Sequence, residues 1–131
     1  MSARHLSLAL CGIVLLGGLG FAAEHVIRSS TDQRIIDLRE QREVSIVLTD
    51  QGFEPNAIKI KTGTKVIFTT TRNKQFWPAS DTHPSHDIYP TFDPKEPINQ
   101  DDTWSFMFDK PGIWGYHDHM RSYFVGTVYV E

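Results

Sequence analysis

Apolar and polar residues alternate in short runs along the chain from residue 43 onward. The pattern is clear in VSIVLT (44–49), in IKIK (58–61) and in WSFMF (104–108). Because successive side chains of a strand point to opposite faces of the sheet, this period of two predicts half-buried β-strands. Several such runs follow one another with no long amphipathic helix between them. The pattern therefore predicts an all-β domain over residues 43–131, built as an antiparallel β-sandwich.

The N-terminal residues have a different pattern. Residues 6–23 carry no charge, follow the basic pair Arg4 and His5, and end in small residues, as export signals do. The length of this segment suits both a signal-peptide core and a short membrane span, so we expect either cleavage or retention as an N-terminal hydrophobic helix. Residues 24–42 are charged and are expected to form a spacer. The sequence thus predicts a signal peptide or membrane anchor over residues 1–23, and an extracytoplasmic protein tethered by residues 6–23.

The composition excludes some classes of function. The net charge is −3, with 13 basic and 16 acidic residues, and the basic residues do not cluster. Since nucleic-acid binding needs a cationic surface, we expect no nucleic-acid partner. Cys11 is the only cysteine of the chain and lies in the N-terminal segment. The domain beyond it therefore has neither a disulfide nor a thiolate ligand.

A long proline-rich stretch interrupts the strand pattern. Residues 73–100 contain Pro78, Pro84 and three further prolines, together with many aspartates and aromatic residues. Proline removes a backbone donor and fixes φ, so a regular helix or a central strand is excluded over most of this stretch. Long ordered loops in small domains are usually functional. We therefore expect a functional loop here.

All the histidines of the expected domain fall in two places. His83 and His86 lie in the proline-rich stretch, and His117 and His119 flank one aspartate at a strand end. Alternate residues of a strand project to the same face, so both rings of the His-x-His pair can reach one ion. Imidazole nitrogens are good ligands for copper, zinc and nickel. These four histidines are therefore predicted to form a metal site.

Two stretches of the domain resemble a known family. FDKPGIWGYHDHM (108–120), followed by VGTVYV (125–130), resembles the end of a cupredoxin domain, with its Pro-Gly turn, aromatic strand, copper-binding loop and closing Gly-x-Val-x-Val strand. GFEPNAIKIKTGTKVIFT (52–69) is similar to the early part of such domains. The resemblance spans about residues 43–131. It implies a Greek-key antiparallel β-sandwich that binds a copper ion.

The chain departs from the blue-copper pattern at two positions. Laid against plastocyanin-like sequences, the cysteine position falls on Asp118, and Phe76 or Trp77 stands near the place of the first histidine ligand. Intense blue colour comes from a copper–thiolate bond. The resemblance therefore implies a histidine-rich, non-blue site rather than an ordinary blue electron carrier.

GYHDH (115–119) is also similar to the WYHxH stretch of multicopper oxidases, in which the His-x-His pair serves a copper cluster between two domains. This chain has one such domain. The partner pair is then either His83 and His86 of the same chain or the same pair of a neighbouring subunit. The second arrangement would make the protein a homo-oligomer.

The strand register decides the role of Asp118. If Trp114 and Tyr116 face the core, Asp118 lies on their side and the two flanking histidines project from the other. Asp118 would then orient an imidazole or accept a hydrogen bond from a backbone amide, which is the favoured interpretation. If the strand bulges after Tyr116, Asp118 is a ligand itself. Met120 is either a soft ligand for Cu(I) or a residue that packs in the rim.

Two further aspartates flank the loop histidines. Asp81 and Asp87 either orient the imidazole rings or form turns, and turn formation is the favoured interpretation because aspartate side chains readily bond their own backbone.

Three functions from different classes agree with these residues. The favoured one is an exported or membrane-tethered copper-binding protein that acts in copper handling or electron transfer, with a copper-donor or redox protein as its partner. The second is a small type 2 copper oxidoreductase, and the third is a metal-free cupredoxin-like module for protein contacts. Binding and catalysis differ in whether one coordination position is open, which spacing does not reveal.

Overall fold

A computed structural model describes residues 34–131. These residues form nine β-strands and contain no α-helix. The strands are β1 (Ile36–Asp37), β2 (Glu43–Thr49), β3 (Gly52–Glu54), β4 (Ala57–Ile60), β5 (Thr64–Thr70), β6 (Pro78–Ser80), β7 (Trp104–Phe108), β8 (Gly112–Asp118) and β9 (Arg121–Val130). The predicted N-terminal hydrophobic helix over residues 6–23 lies outside the described residues.

The strands form two sheets that enclose one core. One sheet has the order β1-β4-β9-β8-β6 and the other the order β3-β2-β5-β7. In β2 every second residue is buried, as the alternation in VSIVLT predicts. Aliphatic side chains from β2, β4, β5 and β9 meet aromatic side chains from β3, β5, β7 and β8 in this core. The prediction of an all-β sandwich is confirmed.

The pairing within the sheets is mixed rather than wholly antiparallel. β2 pairs with β5, β4 with β9 and β1 with β4 in parallel, whereas the remaining pairs are antiparallel. Parallel neighbours cannot be joined by a tight hairpin, and here β2 reaches β5 only after the chain has passed through β3 and β4. Alternation along a strand is the same in both arrangements, so the sequence pattern could not separate them. The prediction of an entirely antiparallel sandwich was wrong in this respect.

The first described strand comes from the stretch expected to be a spacer. β1 pairs with β4 at one edge of the five-stranded sheet, and the Leu38 amide donates to the Lys59 carbonyl at 2.8 Å. The guanidinium of Arg39 bonds the carboxylates of Asp37 and Glu131, which ties this segment to the end of β9. The last part of the predicted spacer therefore packs on the sandwich. The division of the chain at residues 23 and 42 stays a prediction. Separately, residues 34–131 include no helix long and apolar enough to cross a membrane.

The proline-rich stretch closes one side of the sandwich. The closing loop, residues 81–103, runs from β6 at the edge of one sheet to β7 at the edge of the other. Tyr89 and Phe92 of this loop are buried in the core, and the ring of Phe92 lies 5.0 Å from that of Phe106. The Ser80 hydroxyl bonds the carbonyl oxygens of His86 and Tyr89, each at 3.0 Å. These contacts give the loop a defined path between β6 and β7.

Candidate metal centre

Four histidines of the same chain meet at the side closed by the loop. His83 and His86 come from the closing loop, His117 from the end of β8, and His119 from the turn that follows. One potential ligand nitrogen of each lies within 4.8 Å of the others. The four residues are called the histidine cluster below. The structure thus brings His83 and His86 to the His-x-His pair of their own chain, which is one of the two arrangements that the sequence left open.

The cluster lies on the outer face of the five-stranded sheet. Tyr116 on β8 is fully buried in the core, so Gly115 and His117 point to the opposite face, as the alternation along the strand predicts. His117 is nevertheless only 2% exposed, because the closing loop covers it. A Cβ atom on Gly115 would collide with the carboxylate of Asp81. Glycine at this position therefore lets the loop lie directly against β8.

Asp81 orients one member of the cluster. Its Oδ1 lies 2.8 Å from Nδ1 of His117, and Nε2 of the same ring lies 3.1 Å from Nδ1 of His83. A carboxylate accepts a hydrogen bond from the N–H of the ring nitrogen that faces it, which leaves the other nitrogen of a neutral imidazole with a free lone pair. His117 is thus held with Nε2 toward the centre of the cluster. The sequence favoured turn formation for Asp81, and the structure instead gives it this contact with a histidine.

Asp93 orients a second member and was not singled out from the sequence. Its Oδ2 lies 2.7 Å from Nδ1 of His86, while its Oδ1 accepts from the Trp77 indole at 2.8 Å. Burial raises the pKa of Asp93, but hydrogen bonds from Lys95 and His86 outweigh it, and the net pKa lies well below the ordinary value. The carboxylate is therefore ionised at neutral pH. Nε2 of His86 is left to face His119.

The third oriented member is His119. Its Nδ1 lies 2.9 Å from Nε2 of His86, and its backbone amide donates to the Trp77 carbonyl at 2.8 Å. The ring of Trp77 lies over it with a centroid distance of 4.4 Å and an interplanar angle of 36°. Burial lowers the pKa of His119, and the neighbouring histidines add to that effect. The ring is held in the neutral form, which is the form that can bind a metal.

Asp118 does not belong to the cluster, although it lies between two of its members in the sequence. It is fully buried where the pairing of β8 with β9 becomes irregular, between His117 and Asp118, and its Oδ1 accepts from the Trp77 amide at 2.8 Å. Its Oδ2 forms an ion pair with Nε of Arg121 at 3.0 Å. Burial raises the pKa of Asp118, and the Trp77 hydrogen bond and the Arg121 charge oppose that shift. Of the roles left open for it, accepting from a backbone amide is the one observed, and through Trp77 it supports the residue that covers His119.

Met120 lies in the turn between β8 and β9 and is 44% exposed. Asp87 accepts a hydrogen bond from the Thr82 amide at 3.3 Å, as a turn-forming aspartate does. A role for Met120 as a soft ligand stays a prediction.

Comparison with solved structures identifies the fold. The chain is similar to a purple cupredoxin from Nitrosopumilus maritimus, with a TM-score of 0.58 and 21% sequence identity over 67% of this chain and 99% of that one. The fold is that of the cupredoxins. Amicyanin from Paracoccus versutus aligns with a TM-score of 0.57 and 18% identity over 68% of this chain and 81% of its own. A copper-containing nitrite reductase from Thermus scotoductus aligns with a TM-score of 0.57 and 17% identity over 68% of this chain, which spans 22% of that enzyme.

No protein-family model matches the chain, and no curated protein sequence matches it either. Within the cupredoxin fold, residues 34–131 offer no thiolate, because the one cysteine is at position 11. Phe76 and Trp77 stand near the place where the resemblance puts the first histidine ligand. Phe76 is buried in the core, and Trp77 covers His119.

The donor set fits a metal ion bound by nitrogen. Among the ring nitrogens that face the centre of the cluster, Nδ1 of His83 lies 3.1 Å from Nε2 of His117. Nδ1 of His119 lies 2.9 Å from Nε2 of His86. With metal–nitrogen bonds of about 2.0 Å, adjacent ligands lie about 2.8 Å apart in a square plane and about 3.3 Å apart in a tetrahedron. Two carboxylates fix the outer nitrogens of His117 and His86, as they do in known metal sites. Two nitrogen pairs of the cluster thus have the spacing of adjacent ligands, and all four nitrogens lie within 4.8 Å of one another.

Proposed function

We propose that this protein is an exported or membrane-tethered copper-binding protein, with a non-blue site formed by the histidine cluster, that acts in copper handling or electron transfer. The observation that carries the proposal is the convergence of four imidazole nitrogens within 4.8 Å of one another in a domain with the cupredoxin fold. Two of the four, His117 and His86, also have a carboxylate on the ring nitrogen that points away from the cluster, supplied by Asp81 and Asp93. The proposed ligands are His83, His86, His117 and His119.

The chemistry of the donors supports copper. Imidazole binds Cu²⁺ more strongly than the other common divalent ions of the first transition series, and nitrogen donors suit both the tetragonal geometry of Cu²⁺ and the lower coordination of Cu⁺. When bound, copper would supply one-electron redox chemistry. Without a thiolate in the domain, the strong colour of a blue site is not expected.

The residues around the cluster have separate tasks in this proposal. Asp81 and Asp93 hold Nε2 of His117 and of His86 toward the centre, and their negative charge offsets part of the charge of the cation. The loop excludes water from His86 and His117, which are 4% and 2% exposed. Preorganisation of this kind lowers the entropy that the protein loses when it binds the ion.

The location is proposed from the sequence alone. The uncharged segment 6–23 behind a basic pair supports export and a membrane tether, and a redox or copper-donor protein outside the cytoplasm would then be the partner.

Metal loading of the full chain tests the proposed function. The full chain is loaded with Cu²⁺, freed of loose metal, and studied by metal analysis, visible absorption and electron paramagnetic resonance. We expect one copper per chain, weak colour and nitrogen couplings. The variant with alanine at all four cluster histidines should retain no copper, whereas His25→Ala, which changes a histidine outside the domain, should bind like the natural chain. Stoichiometric binding by the quadruple variant would show that the ligands lie elsewhere.

A further inference from the structure

The four members of the histidine cluster are held to different degrees. Asp81 fixes His117, Asp93 fixes His86, and Trp77 covers His119. His83 has no such support among residues 34–131. Its ring nitrogen Nδ1 faces Nε2 of His117 at 3.1 Å, and its other ring contacts are also with cluster histidines. Three members are thus anchored from outside the cluster and one is not.

His83 also differs in exposure and in its place along the chain. It is exposed, whereas His86 and His117 are buried and His119 is partly buried. It belongs to the loop tip, residues 82–85, in which all four residues are exposed. The His86 amide donates to the Thr82 carbonyl at 2.7 Å and the Ile88 amide to the Asp81 carbonyl at 2.9 Å, and these two bonds close the base of the tip. An outward turn of the His83 ring would break its 3.1 Å contact with His117 but would leave the bonds of His86 to Asp93 and of His117 to Asp81 in place.

We propose that His83 is the exchangeable ligand of the copper site, and that its position is where a small nitrogen or anionic donor from solution enters. This inference rests on the proposed function. When His83 leaves, the three anchored histidines keep the ion, and one coordination position faces solvent. In the exchange, one copper–nitrogen bond breaks and one bond from the incoming donor forms, and no electron is transferred.

Exchange at this position also explains why the cluster is asymmetric. A site with four anchored ligands would hold copper tightly and release it slowly. A site with three anchored ligands and one exposed ligand also holds the ion. In addition, an external donor can bind the copper in place of the exposed ligand before the copper leaves the protein. Differences in dissociation rate, rather than in association rate, account for most differences in affinity between related complexes.

Two single variants separate His83 from an anchored ligand. The full chain is compared with His83→Ala and His117→Ala, using free imidazole as the probe of the open position. For His83→Ala we expect one copper per chain, a changed resonance spectrum, and a return toward the natural spectrum when imidazole is added. Release to a chelator should be at least about ten times faster than from the natural chain, which corresponds to about 1.4 kcal/mol. His117→Ala should lose copper during removal of loose metal.

Ser85→Ala is the matched control at the loop tip. Its hydroxyl only bonds the Thr82 carbonyl at 3.3 Å, so copper release and the imidazole response should remain those of the natural chain. Circular dichroism and thermal unfolding of the metal-free variants show whether each has folded.

The outcomes distinguish the two proposals. If the natural chain retains no copper, the proposed function fails and the exchangeable ligand fails with it. If the natural chain binds copper but a folded His83→Ala variant loses it as His117→Ala does, copper binding stands and His83 is an ordinary fixed ligand. A His83→Ala site that retains copper but ignores imidazole would also overturn the inference, because no position would have opened to solvent.

Discussion

The two faces of strand β8 serve different purposes. On the inner face, Tyr116 is fully buried among aromatic rings, and its centroid lies 4.9 Å from that of Phe53. On the outer face, the neighbouring residues Gly115 and His117 lie against Asp81 of the closing loop. The inner face is filled by rings that stabilise the sandwich, whereas the outer face carries nitrogen donors and the carboxylate that orients one of them.

This difference shows how one strand can contribute to both stability and binding. Side chains of adjacent residues are separated by the sheet itself, so a change on one face leaves the contacts of the other face intact. Inner-face variants are therefore expected to lower the free energy of unfolding, and outer-face variants to lower copper affinity. The following predictions test that separation.

The largest effect is expected from Tyr116→Ala. Removal of a fully buried aromatic side chain costs about 3 to 5 kcal/mol, so the free energy of unfolding measured with denaturant should fall by that amount. Tyr116→Phe is the control. The tyrosine hydroxyl has no hydrogen-bond partner among the described residues, so its removal should leave stability unchanged or slightly higher. A large loss in Tyr116→Phe would mean that the hydroxyl is paired.

Two glycine variants compare the faces directly. A Cβ on Gly126 would collide with the Tyr116 ring in the core, and a Cβ on Gly115 would collide with the Asp81 carboxylate outside it. Gly126→Ala should lower stability by about 1 to 3 kcal/mol, the usual cost of overpacking. Gly115→Ala should displace Asp81 from His117 and weaken copper binding about 10- to 100-fold, as loss of an outer partner of a metal ligand does. Equal effects of both variants on unfolding and on copper titration would contradict the separation.

Much of the inner face could be predicted from the sequence. Alternation identified β2, β7 and the end of β9, because half-buried strands place apolar residues at every second position. The two-residue strand β1 lay in a charged segment and had too few residues to show a pattern. The edge strand β6 begins with Pro78, which sequence rules count against a strand, although proline is tolerated at the first residue of an edge strand.

The outer face was only partly predictable. The histidines could be grouped, because His-x-His on a strand has a defined geometry and all four histidines of the domain fall in two short stretches. Asp93 could not be assigned, since it lies in a loop with many aspartates and only the folded path of that loop brings it to His86. The covering role of Trp77 depends on its backbone contacts with Asp118 and His119, which no local pattern encodes.

A smaller effect is expected from Asp93→Asn. The carboxylate of Asp93 bonds both His86 and Trp77, so loss of its charge should weaken copper binding about 10-fold, at the lower end of the effects of outer partners. Asp87→Asn is the matched control in the same loop. Asp87 is exposed and bonds the Thr82 amide, so copper affinity should not change. The two variants can be compared by competition with a chelator of known affinity, and equal affinities would show that Asp93 has no part in orienting His86.

The smallest effect concerns the metal-free protein at mildly acidic pH. The pKa of His119 is lowered in the folded state by burial and by its histidine neighbours, so below the unfolded pKa of about 6.5 the unfolded chain binds more protons. The stability that His119 contributes is therefore complete above about pH 6.5 and is lost as the pH falls through its lower folded pKa. Thermal unfolding at pH 7.5 and pH 5 should show this loss, and His119→Gln should reduce it. An unchanged pH dependence in that variant would show that His119 is not the group responsible.

The most direct test of the central claim is a crystal structure of the copper-loaded protein with anomalous diffraction at the copper edge. The account predicts one anomalous peak on the outer face of the five-stranded sheet, about 2.0 Å from Nδ1 of His83, Nε2 of His86, Nε2 of His117 and Nδ1 of His119. An anomalous peak between the two sheets, or one at a position not coordinated by these four nitrogens, would contradict the account.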